Sequence, residues 1–280
     1  MTLVDPVWLA GRLGRVAILD ASWHMPDTGR DPAAEFRDGH IPGARRFDID
    51  VIADTESPLP HTLPAPERFA ELVGALGIGN GTEVVVYEAG PVFSAPRAWW
   101  MFRVMGHDAK ILDGGLARWR DEGFAIETGA AAPVVPAQFS ARFDQNLYAD
   151  ADAVAQTLAG GGNVLDARGA PRFAGAVPEP RPGLRAGHMP GAKNLPYASL
   201  VAADGTLKKG AALKAAIDTA GIDPAQPVVT SCGSGVTAAI LSLALSEIGV
   251  PSRVYDGSWT EWGGDPSRPV ETMAPPESQT

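Results

Sequence analysis

The sequence predicts an α/β protein built from two tandem copies of one domain, each a mostly parallel sheet with helices on both faces. An internal repeat predicts the duplication, because the motif Gly-His-x-Pro-Gly-Ala occurs at 39–44 and again at 187–192. Within each copy, short β-branched runs alternate with helical patterns, as in βαβ units. A length of 280 residues agrees with two domains.

Two shorter segments also occur in both copies, in the same order along the chain. They are Leu-Asp-Ala, at 19–21 and 165–167, and Asp-Gly, at 113–114 and 256–257. A period of about 145 residues is the size of a domain rather than of a solenoid unit. The chain therefore contains two copies of one fold.

The boundary between the copies is predicted in a stretch of small residues and prolines at 128–138. This composition is typical of a linker. We therefore expect an N-terminal domain at 1–127, a linker at 128–140 and a C-terminal domain at 141–280.

Each copy has three predicted strands, with a helix between the second and the third. The strands are expected at 17–21, 83–87 and 110–112 in the first copy and at 163–166, 227–230 and 253–255 in the second, and the helices at 95–105 and 236–248. Residues 84–86 are all valine, which is typical of a strand covered on both faces. The second helix is apolar nearly all round and is expected to be central.

Composition excludes several classes of protein. Hydrophobic residues make up 45% and charged residues 20%, which is ordinary for a globular chain. A net charge of -10 without a Lys/Arg run argues against nucleic acid as a partner. No apolar run approaches the roughly 20 residues of a membrane span, and the N-terminus lacks the pattern of a secretory signal. We expect a cytoplasmic protein with no membrane association.

The single cysteine, Cys232, excludes an intrachain disulfide and a cysteine-based zinc site. It lies in the segment 231–237, between a predicted strand and the apolar helix. Ligands of open α/β sheets bind at the carboxyl ends of strands, and a helix N-terminus presents N–H groups to an anion. The same N–H groups favour a thiolate, and Gly233 and Gly235 permit a tight loop. Cys232 is therefore a candidate nucleophile, the alternative being a buried, inert thiol.

Three motifs together resemble the tandem-domain sulfurtransferases of the rhodanese superfamily. They are Cys-Gly-Ser-Gly-Val-Thr-Ala at 232–238, the twin Gly-His-x-Pro-Gly-Ala segments, and Tyr-Asp-Gly-Ser-Trp at 255–259. The resemblance implies two rhodanese-like domains, the C-terminal one catalytic. It also implies that Cys232 takes sulfur from a donor as a persulfide and passes it to a thiophilic acceptor, without a metal or organic cofactor.

The loop resembles that of family members specific for 3-mercaptopyruvate. Thiosulfate, a dianion, would gain from cations in the loop, but Gly233 and Ser234 supply none. Arg172 and Arg181 match the arginine pair that holds the carboxylate in that subgroup, and a guanidinium grips a carboxylate with two hydrogen bonds. The alternative for either arginine alone is a solvated surface charge.

The resemblance also implies that backbone N–H groups cradle the persulfide. Those expected to do so belong to Gly233, Ser234, Gly235, Val236 and Thr237. Cyanide, a small thiol or a thioredoxin-like protein would accept the sulfur. A thiosulfate:cyanide sulfurtransferase and a non-catalytic sulfur carrier remain as alternatives. A phosphatase is disfavoured, because Ala238 stands where that chemistry needs an arginine.

In the first copy, Glu88 stands where the second copy has Cys232. A carboxylate cannot carry sulfane sulfur, so the N-terminal domain is expected to be catalytically silent.

A proton relay of Asp31, His40 and Ser234 is also suggested by the resemblance to mercaptopyruvate enzymes. The alternative is that His40 and its counterpart His188 are structural, because both copies contain the motif and only one has a nucleophile.

Overall fold

The computed structural model describes residues 2–273, which divide into two units. The first unit comprises 2–57, 63–145 and 201–208, and the second comprises 58–62, 146–200 and 209–273. Each unit therefore includes a short segment from the other half of the sequence. Residues 1 and 274–280 of the predicted domains lie outside the described residues.

The first unit contains a five-stranded parallel sheet in the order β1-β5-β4-β2-β3. Its strands are β1 (Leu3–Val4), β2 (Ala17–Asp20), β3 (Arg45–Arg46), β4 (Val84–Tyr87) and β5 (Ala109–Leu112). Its helices are α1 (Pro6–Ala10), α2 (Pro32–Asp38), α3 (Pro66–Ala75), α4 (Ala95–Val104) and α5 (Gly115–Asp121), with a short 3-10 helix at Pro26–Thr28. The central strand β4 is completely buried, which explains its run of valines.

The second unit repeats this topology, with strand order β6-β10-β9-β7-β8. Its strands are β6 (Tyr148–Ala149), β7 (Asn163–Asp166), β8 (Lys193–Asn194), β9 (Val228–Ser231) and β10 (Arg253–Tyr255). Its helices are α6 (Ala151–Ala159), α7 (Ala170–Phe173), α8 (Gly210–Asp218), α9 (Ala238–Glu247) and α10 (Ser258–Gly264), with 3-10 helices at Gln145–Leu147 and Tyr197–Leu200. The predicted fold class is confirmed.

Parallel pairing places the carboxyl ends of neighbouring strands at one edge of each sheet. In the second unit, Asp166 at the end of β7 is in register with Ser231 at the end of β9. In the first unit, Asp20 at the end of β2 is in register with Tyr87 at the end of β4. The segments that follow these strands therefore start at the same edge, where α/β proteins bind ligands.

The predicted elements agree with the structure to within two residues at each end. The predicted strands at 163–166 and 253–255 have the observed bounds. The apolar helix starts later than predicted, at Ala238, because Val236 and Thr237 form a turn. Its residues 238–245 are buried, as expected of a central helix. No helix in the range 2–273 combines the length and apolar character needed to cross a bilayer.

Candidate active site

The loop 232–237 joins the end of β9 to the start of α9, as the sequence predicts. Cys232 and Ser234 are buried, with exposed fractions of 2% and 7%. Gly235 has a φ of 81°, a left-handed conformation that favours glycine. Within residues 2–273, the backbone N–H groups of 233–237 donate no hydrogen bond to the protein. They are therefore available to an anion.

The start of α10 fixes the backbone of this loop at two residues. Ser258 Oγ accepts a hydrogen bond from the N–H of Cys232 at 3.1 Å, and the N–H of Trp259 donates to the carbonyl of Cys232 at 3.0 Å. Thr260 donates to the carbonyl of Gly233 from its N–H at 2.9 Å and from its hydroxyl at 2.6 Å. The backbone of Cys232 is thus held by hydrogen bonds at both its N–H and its carbonyl group.

Ser258 is fully buried and has a φ of 51°, which a non-glycine residue adopts at a cost. Its hydroxyl donates to the carbonyl of Tyr255 at 2.8 Å. The equivalent residue of the first unit is Gly115, with a φ of 58°. There the N–H of Leu116 donates to the carbonyl of Glu88 at 2.8 Å. The second unit, which contains the cysteine, therefore has a strained serine and its hydroxyl at the position where the first unit has glycine.

Arg172 lies against the active-site loop. It belongs to α7, and its Nη2 is 3.2 Å from the place that a Cβ on Gly233 would occupy. Glu179 binds its guanidinium through both carboxylate oxygens. The side chain of Arg172 is 28% exposed, whereas that of Glu179 is 1% exposed. Arg172 is thus oriented by a buried partner and still accessible to a ligand.

Glu179 also belongs to a wider buried ion-pair network. It accepts a hydrogen bond from Arg168 at 2.8 Å, and Arg168 pairs in turn with Asp166 at 2.6 Å. Burial works to lower the pKa of Arg168, but the two carboxylates more than offset it and raise that pKa. Sequence reasoning missed Arg168, Glu179 and Asp166 as members of the site; the only signal was the repeat of Leu-Asp-Ala, which places Asp166 at the end of a strand.

Arg181, the other predicted clamp residue, lies beside a histidine that sequence reasoning also missed. Its Nη2 is 3.5 Å from Nε2 of His61. His61 is buried, with a φ of 62°, and it belongs to the segment 58–62 that forms part of the second unit. Its position in the chain, remote from every repeated motif, gave no sequence signal for this contact.

His40 and Asp31 make local contacts. The Nδ1 atom of His40 is 2.7 Å from the carbonyl of Phe36, its ring stacks on Phe36 at 3.9 Å, and its Nε2 is 3.9 Å from Glu127. Asp31 caps α2, accepting hydrogen bonds from the N–H groups of Ala33 and Ala34, which lower its pKa. Capping is a structural role.

His188 repeats the contacts of His40. Its Nδ1 is 2.9 Å from the carbonyl of Phe173, its ring stacks on Phe173 at 4.0 Å, and its Nε2 is 3.9 Å from Glu271. An arrangement present in both units, only one of which has a cysteine, favours the structural alternative. The relay of Asp31, His40 and Ser234 stays a prediction.

Glu88 fills the equivalent loop of the first unit. Its carboxylate accepts hydrogen bonds from the N–H groups of Phe93 at 2.8 Å and Ser94 at 2.5 Å, and from the hydroxyl of Ser94 at 3.1 Å. Burial raises its pKa to about 7, against the lowering effect of these hydrogen bonds. In this unit, the N–H groups that precede α4 bind a carboxylate of the chain itself.

The strand order, the duplicated topology and the cysteine loop define a rhodanese-type α/β protein. The family model described as "Rhodanese-like domain" matches residues 5–122 and 150–265, and the chain belongs to this family. The predicted linker at 128–140 lies between the two matches.

Among known proteins, the chain is 43% identical to the 3-mercaptopyruvate sulfurtransferase of Escherichia coli K12, over 95% of this chain and 96% of that protein. It is 41% identical to thiosulfate/3-mercaptopyruvate sulfurtransferase 1, mitochondrial, of Arabidopsis thaliana, over 97% of this chain and 78% of that protein. The crystal structure of SseA from Escherichia coli superposes with a TM-score of 0.85 at 40% identity, covering 92% of this chain and 99% of that one.

Proposed function

We propose that the protein is a sulfurtransferase that takes sulfur from 3-mercaptopyruvate, carries it as a persulfide on Cys232, and passes it to a thiophilic acceptor. The observation that carries this proposal is the loop 232–237, in which a buried cysteine precedes five N–H groups without an acceptor in the described chain. The related enzymes from Escherichia coli and Arabidopsis thaliana are sulfurtransferases by name.

The first half-reaction is a displacement at sulfur. The Cys232 thiolate attacks the sulfur of the donor, and a new S–S bond forms as the C–S bond breaks. The electron pair of the C–S bond passes into the carbon skeleton as pyruvate enolate, which takes a proton and leaves as pyruvate. In this proposal Arg172, whose guanidinium lies beside the loop, binds the carboxylate, and Arg181 completes the clamp.

The persulfide is an anion at the N-terminus of α9. The N–H groups of residues 233–237 stabilise it without any metal, since each peptide dipole there points at the loop. The acceptor then attacks the outer sulfur and the S–S bond breaks, which regenerates the thiolate. Cyanide would leave as thiocyanate, and a small thiol or a thioredoxin-like protein would leave as a persulfide.

Replacing the nucleophile tests the chemistry. We expect Cys232→Ser to abolish sulfur transfer from 3-mercaptopyruvate to cyanide while thermal unfolding stays close to that of the wild type, because serine is nearly isosteric. Thiocyanate release measures the activity. The control is Ser199→Ala, which changes an exposed serine of the same unit. Activity of Cys232→Ser above the uncatalysed rate would rule out the persulfide.

Replacing the clamp tests donor choice. We expect the wild type to have the higher kcat/KM with 3-mercaptopyruvate than with thiosulfate, and Arg172→Ala to lower the former by about 100-fold, since a charged hydrogen-bonded pair contributes about 2 to 3 kcal/mol. A wild-type preference for thiosulfate would favour the second candidate, a thiosulfate:cyanide sulfurtransferase, which the name of the Arabidopsis thaliana relative supports.

Turnover separates an enzyme from a sulfur carrier. A carrier would release one equivalent of sulfur per protein, whereas a sulfurtransferase turns over repeatedly with free donor.

The cytoplasmic location stays a prediction, and the Arabidopsis thaliana relative is mitochondrial by name.

A further inference from the structure

A buried network of four charged side chains holds the arginine that borders the active-site loop. Glu179 touches both arginines of the network, Arg172 and Arg168, and Asp166 pairs with Arg168 from the other side. Glu179, Arg168 and Asp166 each have a side chain about 1% exposed. Two carboxylates and two guanidiniums carry formal charges that cancel. Arg172 therefore reaches the loop with its positive charge already balanced.

This balance affects donors of different charge unequally. The interaction of a ligand with a fixed potential scales with the charge of the ligand, so a dianion responds twice as strongly as a monoanion to any change in that potential. The carboxylate of Glu179 makes the potential beside Arg172 more negative. It therefore disfavours thiosulfate more than the monocarboxylate 3-mercaptopyruvate.

We propose that Glu179 is a specificity-determining residue, which orients Arg172 and makes the site favour a monoanionic donor over a dianionic one. The inference rests on the proposed function and deepens it. Two features then disfavour a dianion. Gly233 and Ser234 supply no positive charge to the loop, and Glu179 balances the positive charge of the neighbouring Arg172.

Glu179→Gln tests this proposal, because glutamine keeps the shape and a hydrogen-bond acceptor but removes the charge. We expect the ratio of kcat/KM for thiosulfate to kcat/KM for 3-mercaptopyruvate to rise about tenfold over the wild type. This is the size expected when the repulsion between the carboxylate of Glu179 and the second negative charge of thiosulfate is removed. The increase should persist when salt is added, because Glu179 is buried and salt screens buried charges only weakly. A change of packing alone would alter the activity with both donors alike.

Two variants serve as controls. Glu179→Asp keeps the charge, so its donor ratio should stay near that of the wild type even where both activities fall. Glu247→Gln removes an exposed carboxylate at the far end of α9 and should leave both activities unchanged.

Equal losses with both donors in Glu179→Gln would overturn the inference, since Glu179 would then only support the fold. A wild type that does not use 3-mercaptopyruvate would instead defeat the proposed function. Should Glu179→Gln not fold, inhibition of the wild type decides: pyruvate, a monoanion, should compete with thiosulfate better than malonate, a dianion. Stronger inhibition by malonate would contradict the proposal.

Discussion

Ser258 is one of two non-glycine residues with positive φ among residues 2–273. A serine in the left-handed region costs about 1 kcal/mol that glycine would not. In the first unit the same position is glycine, and no hydroxyl is present to bind the backbone N–H of Glu88. The difference is informative because the hydroxyl of Ser258 accepts a hydrogen bond from the N–H of Cys232. That N–H is therefore already used within the described part of the protein, unlike the N–H groups of residues 233–237.

Ser258→Gly is expected to lower the kcat of sulfur transfer about fivefold, because glycine keeps the backbone conformation but loses one hydrogen bond to the Cys232 peptide, worth about 1 kcal/mol. Thiocyanate release measures the kcat. The rate of Cys232 alkylation by iodoacetamide as a function of pH then shows whether the loss acts on the thiolate rather than on the overall fold.

The matched control is Ser252→Ala, which removes the buried pair of hydroxyls that Ser252 and Ser242 form at 3.0 Å. It should lower the free energy of unfolding by about 1 kcal/mol and leave alkylation unchanged. An alkylation profile of Ser258→Gly that matches the wild type would show that the hydroxyl has no effect on the loop.

At the scale of elements, the loop before α4 and the loop before α9 differ in what binds their backbone N–H groups. Both present N–H groups at a helix N-terminus, and the first unit satisfies them with Glu88. The pKa of Glu88 is about 7 in the fold and near 4.5 when unfolded, with burial as the largest cause. The folded protein therefore binds more protons than the unfolded chain between these values, and the contribution of Glu88 to stability falls as the pH rises from about 4.5 to 7.

Glu88→Gln should remove this dependence, because glutamine does not titrate. Relative to the variant, the wild type should lose about 3 kcal/mol of unfolding free energy between pH 4.5 and pH 7.5, at 1.36 kcal/mol for each pKa unit. Urea denaturation of both proteins at the two pH values measures the difference. The exposed substitution Glu247→Gln should show no such trend, and a constant difference between wild type and Glu88→Gln would refute the assignment.

The central elements were predictable from sequence and the peripheral ones were not. Strands β2, β4, β7 and β9 are buried, so their apolar runs are visible in the sequence. The edge strands β3 and β8 have only two residues each, and their side chains are half-buried. Two residues are too few to show the alternation of a strand in the sequence. Whether they form a strand depends on their pairing with the neighbouring strands β2 and β7.

At the scale of the whole molecule, the duplication explains which parts of the site could be predicted. Cys232 was predicted because the single cysteine lies between a predicted strand and the N-terminus of a helix, and the repeat then identified Glu88 as its counterpart. Arg172 was predicted through the family resemblance. Glu179 and His61 were not singled out, because their contacts with Arg172 and Arg181 depend on how the chain folds rather than on a motif. Long-range contacts of single side chains leave no local pattern.

The two exchanged segments, 58–62 and 201–208, also bear on the history of the gene. A tandem duplication first yields two copies that can be lost independently. Once each unit includes a piece encoded in the other half, a deletion of either half damages both. The half that contains Glu88 has no nucleophile of its own, yet it supplies His61, which lies beside Arg181 in the unit that contains Cys232.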